Sequence, residues 1–201
     1  AAADCVEGGG LAVRARRFVV ATGSRALVPP IPGLDQVPYL TNETVFENET
    51  LPTHLVIVGS GPIGLEMAQA HRRLGARVTV VEALDRVLPK DDAELAALVA
   101  RRLQVEGVTL RLGSMVTRVA READRLRLEL RTGEQVDAIA ASHLLLAAGR
   151  QANVEDLGLE AAGIDHTAKG IAVDTRLRTS NRRVFAIGDC TGGPQFTHVA
   201  G

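Results

Sequence analysis

Two sets of residues in this 201-residue chain have types and spacing that could do chemistry. The first is Gly59-Ser60-Gly61-Pro62-Ile63-Gly64, which carries the spacing G-x-G-x-x-G. Glycine at those places permits a tight turn at Gly59, close approach of a pyrophosphate at Gly61 and close helix–strand packing at Gly64. The second set is sparse. Cys5 and Cys190 are the only cysteines; they form no CxxC, no CxxxxC and no zinc pattern, so each reads as a small apolar filler. His54, His71, His143, His166 and His198 stand singly, with no HExxH-like spacing, and no metal site is expected.

A glycine triplet alone is a weak signal, so its setting decides. Leu55 to Val58 reads as a short buried strand running into the motif. Pro62 to Leu74 has helical periodicity in Ile63, Met67, Ala70 and Leu74, and Gly75 is a plausible stop. Val78 to Val81 reads as a second strand, ending in Glu82, roughly 20 residues beyond the first glycine. Strand, glycine turn, helix, strand and acid together describe a dinucleotide site. The free N–H groups and positive dipole end at the helix start would hold the pyrophosphate. Glu82 would accept hydrogen bonds from both adenosine ribose hydroxyls and repel a 2′-phosphate, so NADH is expected over NADPH. Glu66, read as lying in the first helical turn, would share that positive end with a phosphate. It is either an acceptor for the nicotinamide carboxamide, a partner for a cation near a second cofactor, or simply an exposed acid.

The remaining elements are those of an α/β protein. Val13 to Val20 reads as a strand that ends at Ala21-Thr22-Gly23, and the proline-rich 28–33 reads as a crossing between domains. Asp91 or Asp92 can cap a helix running to about Glu106, with Leu95, Leu98, Val99 and Leu103 on its inner face. Residues 115–122, 125–132 and 135–141 read as a three-stranded antiparallel meander, because Arg125 to Arg131 alternates strictly and Thr132-Gly133 turns the chain. His143 to Ala148 is apolar until Gly149, and Val184 to Ile187 reads as a buried strand stopping at Gly188-Asp189.

Three further stretches accompany the glycine motif: 20-VATGS-24, 147-AAGRQAN-153 and 179-TSNRRVFAIGD-189. Together they resemble the flavin-dependent pyridine nucleotide–disulfide oxidoreductases, in particular the mercuric reductase and lipoamide dehydrogenase branch. The resemblance implies a Rossmann-like fold in which residues 24–150 form an NAD(P)-binding domain. Residues 1–23 and 151–201 would be two segments of an FAD-binding domain. By the same resemblance, Gly59, Ser60, Gly61, Pro62, Ile63, Gly64, Glu66, Glu82, Ala148 and Gly149 would line the NAD site. Thr22, Gly23, Arg150, Gly188, Asp189, Phe196 and Thr197 would line the FAD site, with Asp189 accepting from the ribitol chain. Where glutathione reductases place arginines for a 2′-phosphate, this chain has Ala83 and Pro89, although Arg86 and Lys90 lie close by. Where some relatives have a tyrosine lid over the flavin, it has Pro62.

The family's flavin phosphate loop, its CxxxxC pair and its C-terminal dimer domain with an acid–base histidine have no counterpart here. The expectation is therefore a fragment, inactive alone, of a homodimeric FAD-dependent NAD(P)H oxidoreductase. The parent would pass hydride from NADH to flavin and on to a disulfide or metal acceptor. Alternatives are an NADH oxidase or ferredoxin-reductase-like flavoprotein without a redox disulfide, and a non-catalytic dinucleotide-binding module. A net charge of −1 gives no electrostatic case for nucleic acid or an acidic membrane, and no apolar run approaches the ~18 residues of a membrane helix. A cytoplasmic location is the expectation.

Overall fold

The computed structural model describes residues 5–193. They fall into two compact units: the described parts of Ala1–Arg25 and Arg150–Gly201 make one, and Ala26–Gly149 makes the other.

The chain starts in the first unit. β1 (Cys5–Gly8) and β2 (Leu11–Arg14) form an antiparallel hairpin, followed by β3 (Phe18–Val20) and β4 (Ser24–Ala26). The expected single strand from Val13 to Val20 is thus two strands. The reason is pairing: β2 belongs to the hairpin, whereas β3 pairs in parallel with a strand near the other end of the chain. Ala15 to Arg17 lie in neither sheet.

The second unit is built on β5 (His54–Val58), α1 (Pro62–Arg73), β6 (Arg77–Val81), α2 (Ala93–Val105) and β7 (Thr109–Arg111). A meander follows, β8 (Ser114–Glu122), β9 (Arg125–Thr132) and β10 (Gln135–Ala141), and then β11 (His143–Leu146). The order β11-β5-β6-β7 is parallel throughout. β11 lies on one side of β5 and β6 on the other, so the order reverses at β5, the kind of place where open α/β sheets bind ligands.

Both faces of this sheet are covered, which explains why β5 reads as a continuous apolar run rather than an alternating one. Leu55 and Ile57 pack with Leu65, Ala68 and Leu103 from the helices. Val56 packs on the other side, with Leu128, Leu130 and Val119 of the meander. β9 alternates as a one-faced strand should: Leu126, Leu128 and Leu130 are buried while Arg125 and Arg127 are exposed.

α1 begins with Pro62 at its first position and ends where Ala76 N–H bonds back to the His71 carbonyl. α2 is capped by Asp92, whose Oδ1 accepts from the N–H groups of Glu94 and Leu95 at 3.0 and 3.1 Å. Its inner face differs from expectation. Ala96 and Leu103 are buried, with Ala100 partly packed beside them, while Leu95, Leu98 and Val99 are exposed. Small residues at 96 and 100 let the helix approach the sheet closely, and this seam prevails over the larger residues beside it.

The chain then returns to the first unit. β12 (Arg150–Ala152) pairs with β4, β13 (His166–Thr167) with β14 (Gly170–Ile171), and β15 (Val184–Ala186) with β3. A 3-10 turn, Gly188–Thr191, closes the described segment. Its core contains Ala152, Leu159, Ile171, Val184 and Cys190.

Candidate functional site

The glycine loop leaves the C-terminal end of β5 beside the end of β11. Gly59 has φ 107°, and a Cβ there would run into the Ala147 carbonyl. A Cβ on Gly64 would run into the Gly59 carbonyl and press on the Ala147 side chain. Both glycines are therefore required by the fold itself.

Gly61 is different. It is the N-cap of α1 at φ −70° and ψ 178°, a conformation any residue adopts, and a Cβ there meets nothing within 4 Å. The start of α1 has no side-chain cap and no acid in its first turn. Among the described residues, no acceptor serves the N–H groups of Gly61, Ile63 and Gly64. A helix start with free N–H groups, open space in front and no competing carboxylate is a ready anion site. The residues present thus fit a dinucleotide pyrophosphate.

Glu82 follows β6 and reaches the same loop. Its Oε2 accepts from the Ser60 N–H at 2.9 Å and the Ser60 hydroxyl at 2.8 Å, and its Oε1 accepts from the Leu84 N–H at 3.0 Å. Ser60 is fully buried. The Glu82 backbone is also fixed, its N–H donating to the Arg111 carbonyl and its carbonyl accepting from Ser114 N–H. A carboxylate has about four acceptor sites, so one partner remains possible after these three donors. Arg86 is occupied nearby: its guanidinium donates to the carbonyls of Asp91 and Pro89.

In the first unit a second polar cluster gathers residues far apart in sequence. Ser24 donates its hydroxyl to Asp189 Oδ2 at 2.5 Å. Arg150 donates from Nε to the Ser24 hydroxyl oxygen and from a terminal nitrogen to the Ser24 carbonyl, both at 2.7 Å. Arg150 and Asp189 also approach to 3.7 Å. The Asp189 Oδ1 takes no hydrogen bond among the described residues, which leaves an acceptor for a polyol hydroxyl. Thr22 is tied to Asn153 in both directions, through its hydroxyl at 2.7 Å and its carbonyl at 2.8 Å.

Comparison with known proteins places this arrangement. Residues 2–201 match the family described as pyridine nucleotide-disulphide oxidoreductase. The chain belongs to that family.

It is 37% identical over 198 residues to a mercuric reductase of Bacillus cereus, covering 98% of this chain and 31% of that protein. It is 36% identical over 198 residues to dihydrolipoyl dehydrogenase 3 of Pseudomonas putida, covering 96% of this chain and 42% of that protein. Among solved structures it is similar to the HOCl-induced flavoprotein disulfide reductase RclA from Escherichia coli, with a TM-score of 0.90 at 32% identity. That match covers 98% of this chain and 45% of the other. The chain thus spans less than half the length of each of these relatives.

The fold brings Gly59, Ser60, Gly61, Ile63, Gly64, Glu82 and Ala148 to one end of the parallel sheet, with Ala147 beside them. Pro62 is exposed at the helix start, and Gly149 accepts from the Leu27 N–H. Glu66 is displaced from its expected place. The helix starts at Pro62, as expected, and Glu66 is its fifth residue, in the second turn rather than the first. It is exposed and accepts no hydrogen bond among the described residues, so the argument from dipole competition does not apply to it. Thr22, Gly23, Arg150, Gly188 and Asp189 lie in the other unit. Phe196, Thr197 and His198 lie outside the described residues. Two participants were missed by reading the sequence: Ser24, which bridges Arg150 and Asp189, and Asn153, which pins Thr22. Ser24 closes the quoted VATGS stretch, and Asn153 closes AAGRQAN, so both stood next to residues already singled out.

Proposed function

We propose that this chain is the NADH-binding portion, with two flanking flavin-site segments, of an FAD-dependent pyridine nucleotide–disulfide oxidoreductase of the mercuric reductase and dihydrolipoamide dehydrogenase type. Residues 24–150 are the NAD(P)-binding domain, and residues 1–23 and 151–201 contribute to the FAD-binding domain. When both cofactors are bound, they supply hydride transfer from nicotinamide to flavin and electron delivery to a disulfide or metal acceptor. The protein's part is binding and orientation. The N–H groups of Gly61, Ile63 and Gly64 hold the pyrophosphate, and Glu82 accepts from the adenosine ribose. Asp189 accepts from the ribitol of FAD, positioned by Ser24 and Arg150. The whole protein is a homodimer through a further domain, and the relatives' greater length supports the presence of such a domain.

One observation carries the reading: an uncapped helix start with three unpartnered N–H groups stands beside a carboxylate already held in place by Ser60. NADH is preferred over NADPH because a 2′-phosphate would face that carboxylate, while Arg86 turns two of its donors to carbonyls of its own loop. Calorimetric titration of the chain with each cofactor tests this. NADH should bind more tightly, and Glu82→Arg should weaken NADH and strengthen NADPH. Equal affinities for the two cofactors in the wild-type chain would defeat the preference, and absence of binding by either would defeat the site.

A further inference from the structure

The opposite end of the same sheet holds a cavity that the dinucleotide reading does not use. The first residues of β5, β6 and β7 (His54, Arg77 and Thr109) line it together with Arg111, Arg125 and the end of β10, around a volume of about 480 Å³. That is within the range of small-molecule sites. β5 separates it from the glycine loop by its full length, about 16 Å at the usual rise per residue.

The charges are one-sided. Among the described residues, three arginines line the cavity and no carboxylate does. Arg111 reaches out of it to pair with Asp137 at 2.5 Å. The guanidinium groups of Arg77 and Arg125 have no hydrogen bond or ion pair among the described residues. Isolated surface arginines are ordinary. These two frame a cavity whose buried wall is a histidine already committed to its neighbours. His54 is 8% exposed, with Nδ1 2.7 Å from the Ala140 carbonyl and Nε2 3.0 Å from the Thr79 hydroxyl. The carbonyl can only accept, so Nδ1 carries the proton, and Nε2 accepts from Thr79. Burial and then the charges of Arg77 and Arg125 lower its pKa, against a rise from the Ala140 carbonyl. The imidazole therefore adds no acceptor for either guanidinium.

We infer that this cavity binds a small molecule bearing two or more anionic oxygens, held by the forks of Arg77 and Arg125. Guanidinium is the side chain best matched to such groups, because its planar donors pair bidentately with phosphate or carboxylate oxygens. The residues lining it all lie in Ala26–Gly149, and the site does not depend on how the glycine loop is used.

Titration with pyrophosphate and with citrate, at constant ionic strength and both without and with saturating NADH, tests the inference. Backbone amide shifts locate the binding. The expected result is saturable binding of at least one probe, with shifts at Thr109 and Arg125, unaltered by NADH. Arg77→Gln and Arg125→Gln should each weaken it about tenfold or more, the loss expected for one charge-assisted hydrogen-bonded group. Both positions are exposed, and circular dichroism would verify that the variants fold. Response to pyrophosphate alone would support the inference and assign the phosphate class; response to citrate alone would support it and assign the carboxylate class. No saturable binding would overturn it. So would binding that NADH displaces and both variants retain, since that is the signature of the glycine loop.

Discussion

Gly61→Ala separates the site from the fold, and the structure gives its size. Residue 61 sits at φ −70° and ψ 178°, so alanine adopts this backbone without strain, and its methyl would meet nothing within 4 Å. Folding stability should therefore stay level or rise by about 0.4–1 kcal/mol, because alanine restricts the unfolded chain. A ligand feels the change very differently. The methyl occupies the approach to the helix start, where the N–H groups of Gly61, Ile63 and Gly64 lack partners among the described residues. Pushing a pyrophosphate away from two of these groups removes two charge-assisted hydrogen bonds, at about 1.5–3 kcal/mol each. The combined loss of about 3–6 kcal/mol is roughly a 10²- to 10⁴-fold rise in Kd.

Fluorescence titration with NADH, run beside urea unfolding, reads both quantities on the same sample. Gly59 and Gly64 cannot serve this purpose, because a methyl at either meets a backbone carbonyl and damages the fold along with the site. If Gly61→Ala unfolds like the wild type and binds NADH within about threefold of it, the phosphates do not lie against residue 61 and the proposed cradle is wrong.

Ser60→Ala removes one donor from Glu82 while the N–H donor of the same residue remains. NADH affinity by calorimetry should fall about five- to tenfold, as for one hydrogen bond of about 1 kcal/mol, and NADPH affinity should change less; an unaltered NADH affinity would mean that Glu82 needs no help from Ser60. Stability should also depend on pH through His54, whose pKa burial holds below the ordinary 6.5. As pH falls below 6.5 the unfolded chain takes up a proton that the folded chain refuses, so stability is full above that value and declines beneath it. His143, lowered by burial and by the charge of His71, adds to the same slope. Urea midpoints measured across this range should show a shallower decline for His54→Gln, and an identical decline would exclude His54 as a source.

What could be read from the sequence depended on how local the signal was. The buried strands, the alternation of Arg125 to Arg131 and the glycine turn are patterns within a few residues, and the backbone follows them. Helix phase was less secure. In α2, bulk suggested Leu95, Leu98, Val99 and Leu103 for the inner face, yet of these only Leu103 is buried, beside the unexpected Ala96. The start of α1 at Pro62 was read correctly, yet its first turn ends at Leu65, so Glu66 lies one residue beyond it. The long-range hydrogen bonds were invisible. Ser24 meets Arg150 and Asp189 across 126 and 165 residues, and no local pattern in any of the three stretches encodes that meeting.

The contact between Ser60 and Glu82 changes what the acid is expected to do. A mobile glutamate could turn its carboxylate from a 2′-phosphate and leave selectivity weak. Here three donors hold it, two from a fully buried serine and one from the backbone of Leu84. Turning away would leave the Ser60 hydroxyl buried without a partner, at a cost of about 1–3 kcal/mol. The remaining acceptor capacity suits a ribose, whose hydroxyls donate. A 2′-phosphate monoester offers acceptor oxygens and a like charge, so it brings no proton to share and meets repulsion that the held carboxylate cannot relieve. On this reasoning the proposed preference for NADH would come from the rigidity of the acid as much as from its charge. Replacing Glu82 alone would then leave Ser60 behind as an unsatisfied donor, and a clean exchange of cofactor preference requires changing both residues.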